Sequence, residues 1–313
     1  MNQDDERIAA ASSFILQSPP GEINDVLHDV RVIVNGVRSA EEVLPGDHSS
    51  VQWTDPQEEK LAQGILPALR DYNLTQFITV DVPGTSHQTI VSDIARIPSN
   101  DEDQERFLDP RSKTSFKFDH LSLEATDSRP AELDVDAEPL RAALESSTLS
   151  YLAAHYRSGV VAVFSVQPPS QFIVQIVANK YNPSNYWSGR WRSQYHIDFD
   201  SQTIRGKVLV NVHYYEQGNV QLETSHDLTI PIPPAVANAE PSSASSKILA
   251  LIDIEESRLQ RSFNDAYHEM AEKTFKGLRR ALPLTRQKID WDKVLGYKLG
   301  AELTAGKGVF TTS

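Results

Sequence analysis

Two adjacent periodicities constrain this chain more than any other feature. From Gly159 to Ile232 apolar residues alternate with a period of two. The spacing predicts five strands, at 159–166, 171–179, 189–199, 204–215 and 219–230. Phe172, Val174, Ile176 and Ala178 share a face, as do Val208, Val210, Val212 and Tyr214, with Leu209, Asn211, His213 and Tyr215 opposite. The connections are short and carry Pro, Gly or Asn, as in Gln217-Gly218-Asn219, so neighbouring strands must be antiparallel and the sheet a meander. Pro231, Pro233 and Pro234 end the last strand, and a helical pattern then runs from Pro241 to Leu282. Ile248, Ile252, Leu259, Phe263, Tyr267, Met270 and Leu278 form one stripe along it.

Such a helix is about 60 Å long at ~1.5 Å per residue. Five strands at ~4.8 Å cover only about 24 Å. The stripe therefore needs more surface than this chain's own sheet offers across its strands. A second sheet from another subunit, joined edge to edge, supplies it. A helix lying along the strands, or bent onto the N-terminal helices, is the alternative.

Before the sheet, helical spacing marks residues 5–17 (Ile8, Ala11, Ile15), 20–35 (Ile23, Val26, Leu27, Val30, Ile33) and 56–72 (Leu61, Ile65, Leu69). Residues 76–82 and 87–92 flank Pro83-Gly84 and read as a hairpin, and 116–120 as another short strand. Residues 122–138 are rich in Asp, Glu, Ser and Pro, which predicts an exposed, mobile connection. A helix over 138–156 follows. The expected class is α+β: N-terminal antiparallel helices (1–75), a small β-rich stalk with an acidic loop (76–135), and a helix, sheet and long helix (136–282). A short amphipathic arm (283–313) completes the chain.

The chain has a formal net charge of −13 and no cysteine, which excludes disulfides and thiolate chemistry. The first residues are acidic and lack the apolar run of a secretory leader, and no stretch has the ~20 apolar residues of a membrane span. A soluble, cytoplasmic chain is expected. The nine histidines are scattered, with no HExxH, and there is no GxSxG, Walker or dinucleotide motif. Nothing points to catalysis or to a cofactor.

Charge is distributed unevenly. Between Lys273 and Lys298 eight basic residues face only Asp290 and Asp292, so this window carries +6 and the rest of the chain −19. Pro283 ends the long helix. From Asp290, an acceptable N-cap, Trp291, Val294, Leu295, Lys298 and Leu299 share one helical face. A second dense run, residues 179–199, interleaves Tyr181, Tyr186, Trp187, Trp191 and Tyr195 with Arg190 and Arg192. It suits base stacking on single-stranded nucleic acid; it equally suits a turn and strand whose rings and guanidinium groups pack internally. The acidity of the surrounding chain favours the second reading, with no nucleic-acid partner.

The segments NPSNYWSGRWRSQYHIDF (182–199), VHYYEQGNVQL (212–222), FKGLRRALPLTRQKIDW (275–291) and FLDPRSKTSFKFDH (107–120) resemble the α subunit of the F-actin capping protein. Gln217 stands where that family usually has Asp, and Gly277 where Ala is common. The resemblance implies an obligate heterodimer with a β subunit of similar fold, the two five-stranded sheets forming one. It also implies that the C-terminal arm binds the barbed end of an actin filament, without catalysis or cofactor, at the cortical actin cytoskeleton. Carried onto this chain, the actin-binding candidates are Lys276, Arg279, Arg280, Arg286, Lys288, Trp291, Leu295, Lys298 and Leu299. Lys276, Arg280 and Arg286 are also the candidates for phosphoinositides, and capping-protein regulators are further partners. An anionic-lipid adaptor or a single-strand nucleic-acid module using the same basic segment are the competing readings.

Overall fold

The computed structural model describes residues 3–35, 56–98, 105–216 and 219–269. Three amphipathic helices lead: α1 (Gln3–Leu16), α2 (Ile23–Asn35) and α3 (Pro56–Thr75). They bury Ala11 and Ile15 from α1, Ile23, Leu27 and Val30 from α2, and Leu61, Ile65, Leu69 and Tyr72 from α3. Each Leu, Ile or Val side chain so buried contributes roughly 1.5–3 kcal/mol. The stripe of α2 continues to Val34, which packs on this core, and not to Ile33, which is 76% exposed. A step of four from Val30 keeps the 3.6-residue phase, whereas the expected step of three drifts off the face.

Strands β1 (Ile78–Asp81) and β2 (Gln88–Val91) form the hairpin anticipated around Pro83-Gly84. A second small sheet has the order β3-β4-β5-β6, with β3 Arg96–Ile97, β4 Arg106–Asp109, β5 Thr114–Phe118 and β6 Ala125–Pro130. Strand β6 lies in the stretch expected to be an open connection. Its residues are mostly exposed, as composition suggests, but the strand is pinned by Arg106. That side chain donates to the Asp127 carboxylate (2.8 Å), to the Asp127 carbonyl (2.5 Å) and to the Ser115 carbonyl (2.8 Å). Ladder bonds and a charged clamp supply what apolar burial does not.

Helix α4 (Glu138–His155) opens with Pro139, whose fixed φ suits a first turn, and with the Asp134 carboxylate accepting from the Ala137 N–H at 2.9 Å. The main sheet has the order β11-β10-β9-β8-β7, all antiparallel: β7 Gly159–Gln167, β8 Gln171–Asn182, β9 Trp187–Asp198, β10 Thr203–Tyr214 and β11 Val220–Pro231. The register places Phe172, Val174 and Ile176 on one face with Ile197, Tyr195, Ile204 and Val208. Arg190, Arg192, Gln194, Gln175, Asn211 and His213 occupy the other. At the β7–β8 side this second face turns apolar, and Ala162, Phe164 and Val177 join the core of α1–α3 and the small sheets. The first face is the one left for α4 and the last helix.

A short helix, α5 (Pro234–Ala237), leads into α6 (Pro241–Glu269). The first half of α6 buries Ala244, Ser245, Ile248, Leu249 and Ile252, and the Ser147 hydroxyl of α4 donates to that of Ser245 at 2.9 Å. Residues up to Glu255 form one compact unit. No helix among the described residues is long and apolar enough to cross a membrane.

Candidate functional site

Strand β11 is an edge strand. Its twelve residues pair with β10 on one side, and among the described residues nothing pairs with the other. A long unpaired edge is normally blunted or covered, because its backbone donors and acceptors are a template for another strand. Here the apolar face beside it is also bare: Val212, Val220 and Leu222 are 37%, 61% and 56% exposed. Nearby, Trp191 presents an indole N–H that is buried with no acceptor among the described residues. Edge and apolar strip together form one continuous exposed surface.

On the opposite face a polar layer ties the sheet to the N-terminal helices. Arg190 donates to Asn179 Oδ1 (2.8 Å), the Tyr181 hydroxyl (2.8 Å) and the Gln76 side chain (3.3 Å). Arg192 donates to the Thr75 carbonyl and to Asn211 Oδ1 (2.6 Å). Both guanidinium groups are buried. His213 Nδ1 lies 2.7 Å from Glu22 Oε1, and its Nε2 lies 3.1 Å from Asn219 Oδ1. A cavity of about 280 Å³ opens between this layer and the α1–α2 turn, lined by Gln17, Ser18, Gln76, Asn211, His213 and Glu223 among others. The arginines of the run 179–199 thus follow the internal one of the two sequence readings, facing carbonyls, amides and hydroxyls of the protein, whereas Tyr181 and Tyr186 are exposed. Tyr181 packs over Gly21, and Lys180 sits 5.3 Å from the Trp187 ring.

The arm candidates Lys276, Arg279, Arg280, Arg286, Lys288, Trp291, Leu295, Lys298 and Leu299 lie outside the described residues, as does the expected continuation of α6 to Leu282. Sequence reasoning singled out the arm and the aromatic run. It missed the polar layer, because Gln76, Asn179 and Asn211 come from separate elements and the Thr75 carbonyl carries no residue signature. Among the described residues no three His, Asp or Glu side chains converge as a metal site would require.

A five-stranded antiparallel meander with helices against both faces, an open edge and a bare apolar strip define an α+β fold. The particular family follows from comparison. The model of the F-actin capping protein alpha subunit family matches residues 11–302, and the chain belongs to that family. It is 36% identical over 299 residues to the F-actin-capping protein subunit alpha of Emericella nidulans, covering 95% of this chain and 97% of that one. The Caenorhabditis elegans protein of the same name is 34% identical over 308 residues, covering 96% and 98%. Among solved structures, the homodimeric actin capping protein alpha subunit from Plasmodium berghei superposes with a TM-score of 0.63 at 17% identity, covering 91% of this chain and 99% of that one. At that identity the likeness is one of fold.

Proposed function

We propose that the chain is the α subunit of a heterodimer that caps the barbed end of actin filaments and blocks subunit addition and loss there. The observation that carries the reading is the reach of the family match: it runs to residue 302 and so includes the basic segment from Lys276 to Leu299. The open edge of β11 supports the second subunit, because a family β subunit adding its own edge strand would cover Val220 and Leu222.

In this reading the arm has two jobs. Lys276, Arg279, Arg280, Arg286, Lys288 and Lys298 attract the acidic filament end and raise the encounter rate. Trp291, Leu295 and Leu299 bury apolar area there and slow departure. Phosphoinositides at Lys276, Arg280 and Arg286 would compete with actin, placing the protein at the cortical cytoskeleton in the cytoplasm. The test is growth of actin from filament seeds with the chain co-expressed with a family β subunit. Barbed-end growth should stop at nanomolar dimer; growth that continues unchanged at micromolar dimer overturns the reading. Flotation with phosphoinositide vesicles tests the lipid competitor separately.

A further inference from the structure

Strand β11 is charged against itself. The register opposite β10 sets Glu223 beside Asn211 and Asp227 beside Lys207, on the polar face of the sheet, with both carboxylates exposed. Leu222 and Val220 stand on the other face, beside Val212 and Tyr214. Two copies of one edge strand can extend a sheet only about a two-fold axis, which makes the pair antiparallel. Residues that meet must also share a face, so one residue of β11 lies on the axis. With Ser225 there, Glu223 of each copy faces Asp227 of the other. With Glu223 or Asp227 there, each meets itself. With Thr224 or His226 there, a carboxylate of one copy lies diagonal to a carboxylate of the other, still ~7 Å away. Every register centred from Glu223 to Asp227 therefore brings like charges together, and registers further out forfeit most of the ladder.

Resting on the heterodimer reading above, we infer that Glu223 and Asp227 select the strand that completes the sheet: they reject a second copy of this chain and accept an antiparallel edge strand carrying cations at two positions four residues apart. The partner residue facing Asp227 is the first cation and the residue facing Glu223 the second. Apolar residues occupy the positions immediately after the second cation and two further on, where they cover Leu222 and Val220. Backbone bonds along the edge supply affinity for any strand, so the two carboxylates supply the discrimination. The pattern is an attractive contact for one partner and a repulsive one for the wrong partner, made by the same two side chains.

The experiment uses full-length chains carrying two different tags, co-expressed in pairs and recovered by affinity capture at about 50 mM and about 500 mM salt. Wild type with Glu223→Lys/Asp227→Lys should be recovered roughly tenfold better than wild type with wild type at low salt, the combined effect of two like-charge contacts becoming attractive. The difference should vanish at high salt. Equal recovery of the two pairs at low salt overturns the proposal. In a second arm each version is co-expressed with a family β subunit. The lysine pair should lose about tenfold in recovered partner, and Glu223→Gln/Asp227→Asn, which keeps the shape and removes the charge, should fall between. A lysine pair that retains β as well as wild type overturns it too. Thermal melts of the neutral pair guard against a folding defect: a neutral pair that melts as wild type does and still loses as much β as the lysine pair also counts against charge selection. No actin is present, so a chain that pairs as stated yet leaves filament growth unchecked overturns only the capping reading.

Discussion

The guanidinium of Arg192, midway along β9, donates to the carbonyl oxygen of Thr75, the last residue of α3, 117 positions away in sequence. The contact closes the helix where its carbonyls run out of partners and its dipole is negative. The next residues show why it is needed: Phe77 turns the chain into β1 with φ of 54°, a conformation uncommon for a bulky side chain. Arg192 is 3% exposed, and burial, with the like charge of Arg190, lowers its pKa to about 10, so it remains charged at neutral pH.

Arg192→Ala should therefore be costly. It strands the Thr75 carbonyl and Asn211 Oδ1 and frees a strained turn, at about 3 kcal/mol of stability. Arg192→Lys should restore less than half, because one ammonium cannot span both acceptors. Urea unfolding of the purified protein checks both. A loss under 1 kcal/mol for Ala, on the order of a surface substitution, would show that the contact is dispensable.

Acid should unfold the small β4–β5 sheet region in two stages. Arg70 donates to both Glu105 oxygens, at 3.2 and 2.7 Å, and His120 Nε2 lies 3.4 Å from the same carboxylate. Burial would raise the Glu105 pKa, but Arg70 and His120 together hold it below the ordinary carboxylate value. Burial lowers the pKa of His120, outweighing Glu105. The Asn73 amide faces His120 Nδ1 at 3.3 Å, which suits a neutral ring accepting there and donating from Nε2. Both folded pKa values are depressed, so both contributions are complete above the unfolded values and are lost as pH falls through the folded ones. The urea midpoint should drop first below about pH 6.5 and again below about pH 4.5. Arg70→Ala should cost about 1–2 kcal/mol at neutral pH and flatten the second stage. A midpoint that holds steady down to about pH 4 contradicts the assignment.

Much of the architecture is legible from periodicity, because long elements repeat their signal. The five main strands lie where alternation places them, with β8 and β9 extended to Asn182 and Trp187 through a run whose rings and arginines masked the period. Strands β3 and β4 are two and four residues long, too short for any period to register. Strand β6 is polar and depends on Arg106, nineteen or more positions before it, so composition alone suggested an open connection. Ile33 and Val34 differ by one residue of helical phase. The Arg192–Thr75 contact was illegible for another reason: any residue presents a carbonyl, so nothing in the sequence marks Thr75 as the acceptor. The tail's charge is plain in the sequence, whereas the unpaired edge of β11 emerges only from the strand order.

Among the described glycines, Gly21 is the turn position where two demands coincide. Its φ is +83°, and a Cβ there would lie 2.9 Å from the ring of Tyr181. That ring also receives Arg190 on its hydroxyl, so it cannot simply swing away. Gly21→Ala should cost about 2 kcal/mol, about 1 from the backbone and the rest from the ring. In a Tyr181→Ala background only the backbone share should remain. A double-mutant cycle in urea separates the two, and a full cost that persists without the ring would refute the steric part.

The two jobs proposed for the arm should separate kinetically. Arg280→Ala with Arg286→Ala removes long-range attraction and leaves the apolar contact, so barbed-end association should slow several-fold at low salt, on the order of 3- to 10-fold, with dissociation little changed. The deficit should shrink at high salt, where the wild type is slow as well. Trp291→Ala should do the reverse, leaving arrival intact and raising the departure rate by roughly 30-fold, the kinetic equivalent of about 2 kcal/mol for an interface anchor. Deleting the chain from Arg286 onward should combine both losses while the dimer stays folded. Seeded growth with rapid mixing measures arrival, and dilution from capped ends measures departure. If the arginine pair changes only departure, or a truncated dimer caps as the full one does, the basic segment is not what meets the filament.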